Sequence, residues 1–457
     1  MAISYQHGLI KIVGVFSYDR KRSPNRLVEH GYSSMHLVQL PSVVTDRDSA
    51  KQKTKDNYKD TYYAEFRDFM FTGEDREETI GLQKKQIRTF ERKQVVQGNF
   101  IQMRSGQEKI IPFECHHQEL YLFPDDVGIF SMTLAPAEKT MEAASDLINQ
   151  ARSFESEVEF NGTKMKWHAW VSHEILGGIP LKGPKVELDE YSGSKFKVYS
   201  VFDIVELSSY NRDHLLYEMG TCSMIGTMSS INRNTPSPVY YEELMQNKVS
   251  AFANYEGLAL LDSFTVIGHE NYVEFADNNP NYYSHHTWNR IYFGIYVYNL
   301  FVRYSLFKFN AQFLSNPVKY RDKFQDYLNH YNFKHIAFNF LPNLIFDKIR
   351  IALGIEDEIE TFEKRLGNLA ASIQEQQEKR QAFLLTIISV ISAFDAADSI
   401  PESIGKAQEA LGWPAALFYP VLVVLIIAVA VFLVKYLFPL LAEKIERKVK
   451  KILGHSK

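Results

Sequence analysis

The densest concentration of ligand-competent side chains lies at 208–238, SSYNRDHLLYEMGTCSMIGTMSSINRNTPSP. It carries Arg212, Asp213, Arg233 and Asn234, punctuated by Gly220 and Gly226 and by several hydroxyls. Guanidinium forks and free backbone N–H groups bind phosphates, and a carboxylate accepts from adenine or ribose hydroxyl donors. Arg152, near the end of the amphipathic segment 137–154, is a second basic candidate. The competing reading is a polar surface loop laced by structural ion pairs.

Signals for catalysis are sparse. His116–His117 and His285–His286 are adjacent pairs, and adjacent side chains diverge on helices and strands, so neither pair makes a two-ligand metal unit. No phosphate-binding loop, nucleophile elbow or zincin motif occurs. Cys115 and Cys222 fit neither a metal spacing nor a disulfide framework. In KMKWHAW (164–170), Trp167 or Trp170 offers a stacking surface for a purine, whereas large residues alternating along a strand are ordinary core. The expectation is a protein that binds rather than catalyses.

A third set of polar groups lies within AFLLTIISVISAF (382–394). At 100° per residue, Thr386, Ser389, Ser392, Ala393 and Ala396 share one side of a helix and bulky aliphatics hold the other. Such a face suits either close helix–helix packing or the wall of a water-filled pore. In the pore reading Asp395 and Asp398 stand at the outer mouth; otherwise they are solvated loop acids.

The elements that would position these groups follow from the rest of the chain. The 457 residues provide for two or three domains, and a net charge of -4 argues against generic nucleic-acid binding. The start, MAISYQHGLIKIVGVF, lacks the features of a secretory signal, which places the bulk of the chain in the cytoplasm. Short β-branched runs (LIKIVGVF, ELYLF, VGIFSMTL, KFKVYSVFDIVEL) alternate with turn clusters and the 137–154 helix, so residues 1–240 read as a mixed α/β domain. Residues 35–98 are charge-rich and read as exposed loops or insertions; residues 241–350 read as an aromatic-rich helical region.

Residues 416–442 are apolar over more than 18 positions and predict a transmembrane helix. The basic tail 443–457 against the acidic loop before the span predicts both termini inside. The chain must then cross once more, within 381–400, before Pro401 and an outer loop 401–415. Upstream, Ile355, Ile359, Phe362, Leu366, Leu369 and Ile373 form a heptad seam that continues through Gln376 and Arg380 to Phe383. One stalk helix over 351–400, assembling a homo-oligomer, is therefore expected.

The entry KRQAFLLTIISVISAF (379–394), with the second span and its Lys-rich end, resembles the CorA-type divalent-cation transporter family. The resemblance covers about the last hundred residues. It implies an α+β protein with a large cytoplasmic domain and a long stalk helix continuing into the first of two C-terminal transmembrane helices, lodged as a multi-pass protein of the inner membrane. The family's Gly-Met-Asn signature is absent, the region reading SIPESIGKAQEAL. That points to the divergent branch that accompanies type III CRISPR systems. It implies a pentameric or tetrameric channel or effector gated by an adenine-nucleotide messenger, such as an S-adenosylmethionine–AMP conjugate. No resident cofactor is implied, apart from a possible divalent cation such as magnesium. Alternatives are a constitutive magnesium-type transporter and a membrane-anchored scaffold.

Overall fold

The computed structural model describes residues 3–18, 27, 30–34, 59–71, 87–104, 106–177, 195–205, 210–229, 235–269, 287–313 and 317–411. These residues form two compact units, Met1–Glu363 and Lys364–Lys457. The first takes in both the region read as a mixed domain and the aromatic-rich region. Most of the charge-rich stretch between 35 and 98, with Arg233, Asn234, the His285–His286 pair and the apolar run 416–442, lies outside the described residues.

A twelve-stranded sheet organises the first unit. Its strands are β1 (Tyr5–Ser17), β2 (Ser33–Ser34), β3 (Arg88–Arg92), β4 (Val96–Arg104), β5 (Gln107–Leu122) and β6 (Val127–Pro136). The remainder are β7 (Glu157–Phe160), β8 (Thr163–Lys166), β9 (Lys197–Ile204), β10 (Lys248–Phe252), β11 (Tyr255–Ala259) and β12 (Ser263–His269). The main order is β10-β11-β12-β9-β1-β6-β5-β4-β7-β8, with β3 also on β5 and β2 on β3. All pairs are antiparallel except β12 with β9, which run parallel and so need the long crossover that carries residues 205–262.

β1 lies between β6 and β9 and is buried along most of its length, which is why LIKIVGVF reads as a continuous apolar run. Its register with β6 sets Gly14 opposite Phe130 and Phe16 opposite Gly128. Each ring covers the facing glycine, and a Cβ on either glycine would lie 2.3 Å from the ring.

The helices are α1 (Ala64–Met70), α2 (Met141–Ala151), α3 (Arg212–Gly220), α4 (Pro238–Met245), α5 (Phe293–Gln312), α6 (Pro317–Tyr331), α7 (Phe340–Ala352) and α8 (Ile355–Leu411). Thr140, Asn211 and Ser237 cap α2, α3 and α4 with side-chain oxygens that accept backbone N–H bonds. One sheet face packs on α2 and α3, with Ile10, Ile12, Phe130, Val198 and Phe202 in a core shared with Leu147 and Leu215. The other face meets α5: Phe293 packs against Tyr121 and Tyr199, and Phe301 stacks on Phe123 with ring centroids 4.2 Å apart. Strand structure ends at Lys166, and WHAW forms a helical turn instead. Trp167 and Trp170 stack on each other within the core.

The C-terminal architecture requires two corrections. First, the helix expected to stop before Pro401 continues through it, so α8 runs unbroken from Ile355 to Leu411 where an outer loop was expected. Second, no helix among the described residues is long and apolar enough to cross a membrane. The uncharged run in α8, residues 381–394, rises only about 21 Å against a hydrocarbon core of roughly 30 Å, and extending it brings in Asp395 and Asp398. The stalk therefore does not lead into a first membrane span, which overturns the expected two-span, multi-pass inner-membrane arrangement; the run 416–442 lies outside the described residues.

The heptad seam divides in two. Ile355, Ile359 and Phe362 are buried in the first unit, Phe362 against Phe309, Phe313 and Phe324. Beyond it Leu366, Leu369, Ile373 and Phe383 are part-exposed, and Gln376 and Arg380 are exposed.

Candidate functional site

The residues singled out at 208–238 fall at two ends of α3. Arg212 and Asp213 open the helix, where the Asn211 side chain accepts from the N–H groups of Asp213 and His214. Asp213 is paired with Lys248 at 2.6 Å, which also holds Glu256 at 2.7 Å. Arg152 lies instead at the C-terminal end of α3, about 13 Å away at 1.5 Å per residue over nine residues. The structure thus separates Arg152 from Arg212 and Asp213.

The glycine-punctuated turn after α3 is held by the protein's own groups. Glu218, fully buried, accepts from the N–H of Gly226 (3.1 Å) and Met228 (2.7 Å) and from the Tyr210 hydroxyl (2.8 Å). The amides that would cradle a phosphate already have a carboxylate. Opposite, a polar stripe on α2 satisfies the chain as it leaves α3: Ser145 donates to the carbonyl of Ser223, Asn149 to Cys222 and Arg152 to Thr221. The spacing 145, 149, 152 keeps these side chains on one helix face.

Arg152 belongs to a second constellation as well. Its Nη2 lies 3.6 Å from Oδ2 of Asp262, whose Oδ1 accepts from Lys197 Nζ at 2.6 Å. Lys197 begins β9 and Asp262 immediately precedes β12, so the parallel pairing of these strands creates the meeting point. Lys195 adds a further cation within electrostatic range of Asp262, and Arg303 of α5 one within range of Lys197. Side-chain exposure is 15% for Arg152, 7% for Lys197 and 34% for Asp262, so the cluster is half-sunk and still open to solvent.

Charge counting shows what this arrangement favours. Arg152, Lys195 and Lys197 gather on the carboxylate of Asp262, and Arg303 stands within range of Lys197, in a chain whose net charge is -4. The C-terminal ends of α2 and α3 each contribute about half a negative charge, which leaves a surplus of roughly two positive charges. Burial pulls the Lys197 ammonium down, opposed by Asp262. Burial also pushes the Asp262 carboxyl up, but Lys197, Arg152 and Lys195 outweigh it and hold the carboxyl below its usual range.

Near the cluster, Tyr296 is 1% exposed and its hydroxyl has no hydrogen-bond partner among the described residues. Asp262, Cys222 and Arg303 are among the groups that act on it, and burial raises its pKa well above the ordinary tyrosine value. Burial likewise pushes the Cys222 thiol up to about 11, which keeps it protonated and poorly nucleophilic near neutral pH.

A second buried charge cluster lies between the sheet and α5. Glu119 accepts from Lys11 at 2.5 Å and from Arg290 at 2.6 Å, while His117 lies 2.9 Å from Glu91, which is cross-strand to Glu119. Burial pushes the Glu119 carboxyl up, yet Lys11, Arg290 and His117 overcome it and hold it near 2. Burial pulls the Lys11 ammonium down to about 8, against the opposing pull of Glu119 and with the neighbouring Arg290 charge adding to the fall. Two cations serving one carboxylate make the carboxylate the firmly charged member. With Glu91 included, charges balance here, and the cluster reads as internal bracing.

A surface hollow of about 660 Å³ between β4, β5 and β7 presents Gln97, Asn99, Glu114, Glu159 and Asn161 but no cation. Among the described residues no three His, Cys, Asp or Glu side chains converge to hold a metal ion. Within α8, Thr386 donates to the Ala382 carbonyl and Ser389 to that of Leu385, so both hydroxyls bond back to their own helix. Ser392, Ala393, Asp395, Ala396 and Asp398 also lie in α8, which is not long and apolar enough to cross a membrane.

No family model, curated protein or solved structure matches this chain.

Proposed function

We propose that the chain is a binding protein for a phosphate-bearing small molecule of the nucleotide type, and that it assembles through the free part of the α8 seam. The observation that carries the proposal is the surplus of positive charge where Arg152, Lys195 and Lys197 meet the single carboxylate Asp262, with Arg303 in range of Lys197. Guanidinium and ammonium groups supply charge-assisted bonds to phosphate oxygens. Asp262, one-third exposed, accepts sugar hydroxyls, and Leu261, 48% exposed beside it, offers an apolar shelf for a base. The protonated Cys222 thiol beside the cluster suits binding rather than nucleophilic chemistry.

Calorimetry on the full chain with pyrophosphate, AMP, ADP, ATP and the S-adenosylmethionine–AMP conjugate tests this reading. At least one should bind, and Arg152→Ala and Lys197→Met should each weaken it about ten- to a hundredfold, the loss of one charge-assisted bond. Arg212→Ala, at the other end of α3, should leave the affinity unchanged. Absence of binding across the panel at low ionic strength overturns the proposal.

A further inference from the structure

We infer that occupancy of this phosphate site is coupled to the root of α8 through Arg303; the inference rests on the phosphate reading above. Arg303 has two engagements. It lies two turns along α5 from Tyr296, on the same face, and Tyr296 packs on Tyr199, which shares one face of β9 with Lys197. Its guanidinium is within electrostatic range of Lys197 and of Tyr296, and its Nη1 donates to the backbone carbonyl of Leu353. Leu353 is the C-cap of α7, and the next residue, Gly354, is the joint from which α8 starts. Gly354 sits at φ +62°, a left-handed conformation that glycine adopts without strain, and a Cβ there would meet nothing within 4 Å. The joint is therefore held mainly by hydrogen bonds rather than by packing at Gly354 itself: Arg303 to Leu353, Gly354 N–H to Ile351 at 3.0 Å, and Glu358 N–H back to Gly354 at 3.2 Å.

A phosphate at the cluster competes for Arg303. A guanidinium bond to a phosphate oxygen is charge-assisted on both sides, whereas the Leu353 carbonyl is neutral, so the phosphate is the stronger acceptor. Drawing Arg303 toward the ligand releases Leu353 and loosens the first turn of α8. The remaining anchors, Asn310 to Glu358 and Arg350 to Glu356, keep the root attached while it loosens. Because coupling is reciprocal, loosening the joint by other means must strengthen phosphate binding by the same factor.

The test uses the full chain with pyrophosphate as probe. Hydrogen–deuterium exchange over 349–360 should rise at least threefold on saturation. In Arg303→Gln it should be raised already and no longer respond to the probe. Gly354→Ala, which touches neither the cluster nor Arg303, introduces a side chain at positive φ and should tighten pyrophosphate binding severalfold. Failure of the native chain to bind pyrophosphate or any nucleotide overturns the phosphate reading itself. Binding with unchanged exchange over 349–360, or unchanged affinity in folded Gly354→Ala, overturns the coupling and leaves the site standing.

Discussion

Asp262→Asn separates a ligand site from a structural ion pair, because the two readings predict opposite signs. The carboxylate holds Lys197 at 2.6 Å and stands 3.6 Å from Arg152, so an anion bound by those cations sits about 5 Å from it. Coulomb's law at an effective dielectric of about 20 gives roughly 3 kcal/mol of repulsion for two unit charges at that distance. With Asp262 one-third exposed, solvent screening reduces this to about 1–1.5 kcal/mol, or about tenfold in Kd. The variant should therefore bind pyrophosphate about tenfold more tightly. Without ligand it should be less stable by about 1.5–3 kcal/mol, since Lys197, only 7% exposed, loses its carboxylate. Titration calorimetry reads the first effect and urea unfolding the second, and saturating pyrophosphate should restore most of the lost stability. A folded Asp262→Asn protein that binds pyrophosphate no better than the native chain refutes the argument.

Two further expectations concern other parts of the fold. Glu119→Gln leaves Lys11 and Arg290 without their shared carboxylate and should cost about 3–5 kcal/mol by urea unfolding. Glu119 ionises near 2 in the fold against an ordinary 4.5, so its stabilisation of about 3 kcal/mol is present above pH 4.5 and lost as pH falls through 2; Glu119→Gln should flatten that acid limb, and an unchanged limb would count against the bracing role. For α8, Leu366→Asp with Leu369→Asp should lower the light-scattering mass toward that of one chain, because each would bury an unpaired carboxylate in the seam; an unchanged oligomeric mass would place the contact elsewhere.

The sheet was legible because its inner strands are apolar on both faces. LIKIVGVF, VGIFSMTL and KFKVYSVFDIVEL fall on β1, β6 and β9, and the helix read over 137–154 is α2 with its caps trimmed. The binding cluster was not legible beyond Arg152. Lys195, Lys197, Asp262 and Arg303 lie on separate elements, and their meeting depends on the β12–β9 pairing and on where α5 crosses the sheet. Two lysines flanking Phe196 at the head of an apolar strand were the available local hint. Within 208–238, Gly226 signals exposed amides, but the acceptor that fills them, Glu218, looks in sequence like an ordinary helical acid. The C-terminal reading rests on apolar runs and takes Pro401 as a helix boundary that α8 does not observe.

Lys11 has a consequence for how the chain is made. Its strand is a β-branched apolar run, and such runs aggregate when exposed without a charge among them. The carboxylate that neutralises Lys11 follows 108 residues later, and Arg290 lies another 171 beyond that. During synthesis, therefore, the segment waits for its neighbours with one fully hydrated ammonium in its middle, which discourages pairing with the same segment of another nascent chain. When β5 and β6 arrive, the ammonium is withdrawn into the interior and pairs with Glu119. The same lysine thus supplies a hydrated charge to the exposed strand and a brace to the folded sheet, where it pairs with Glu119.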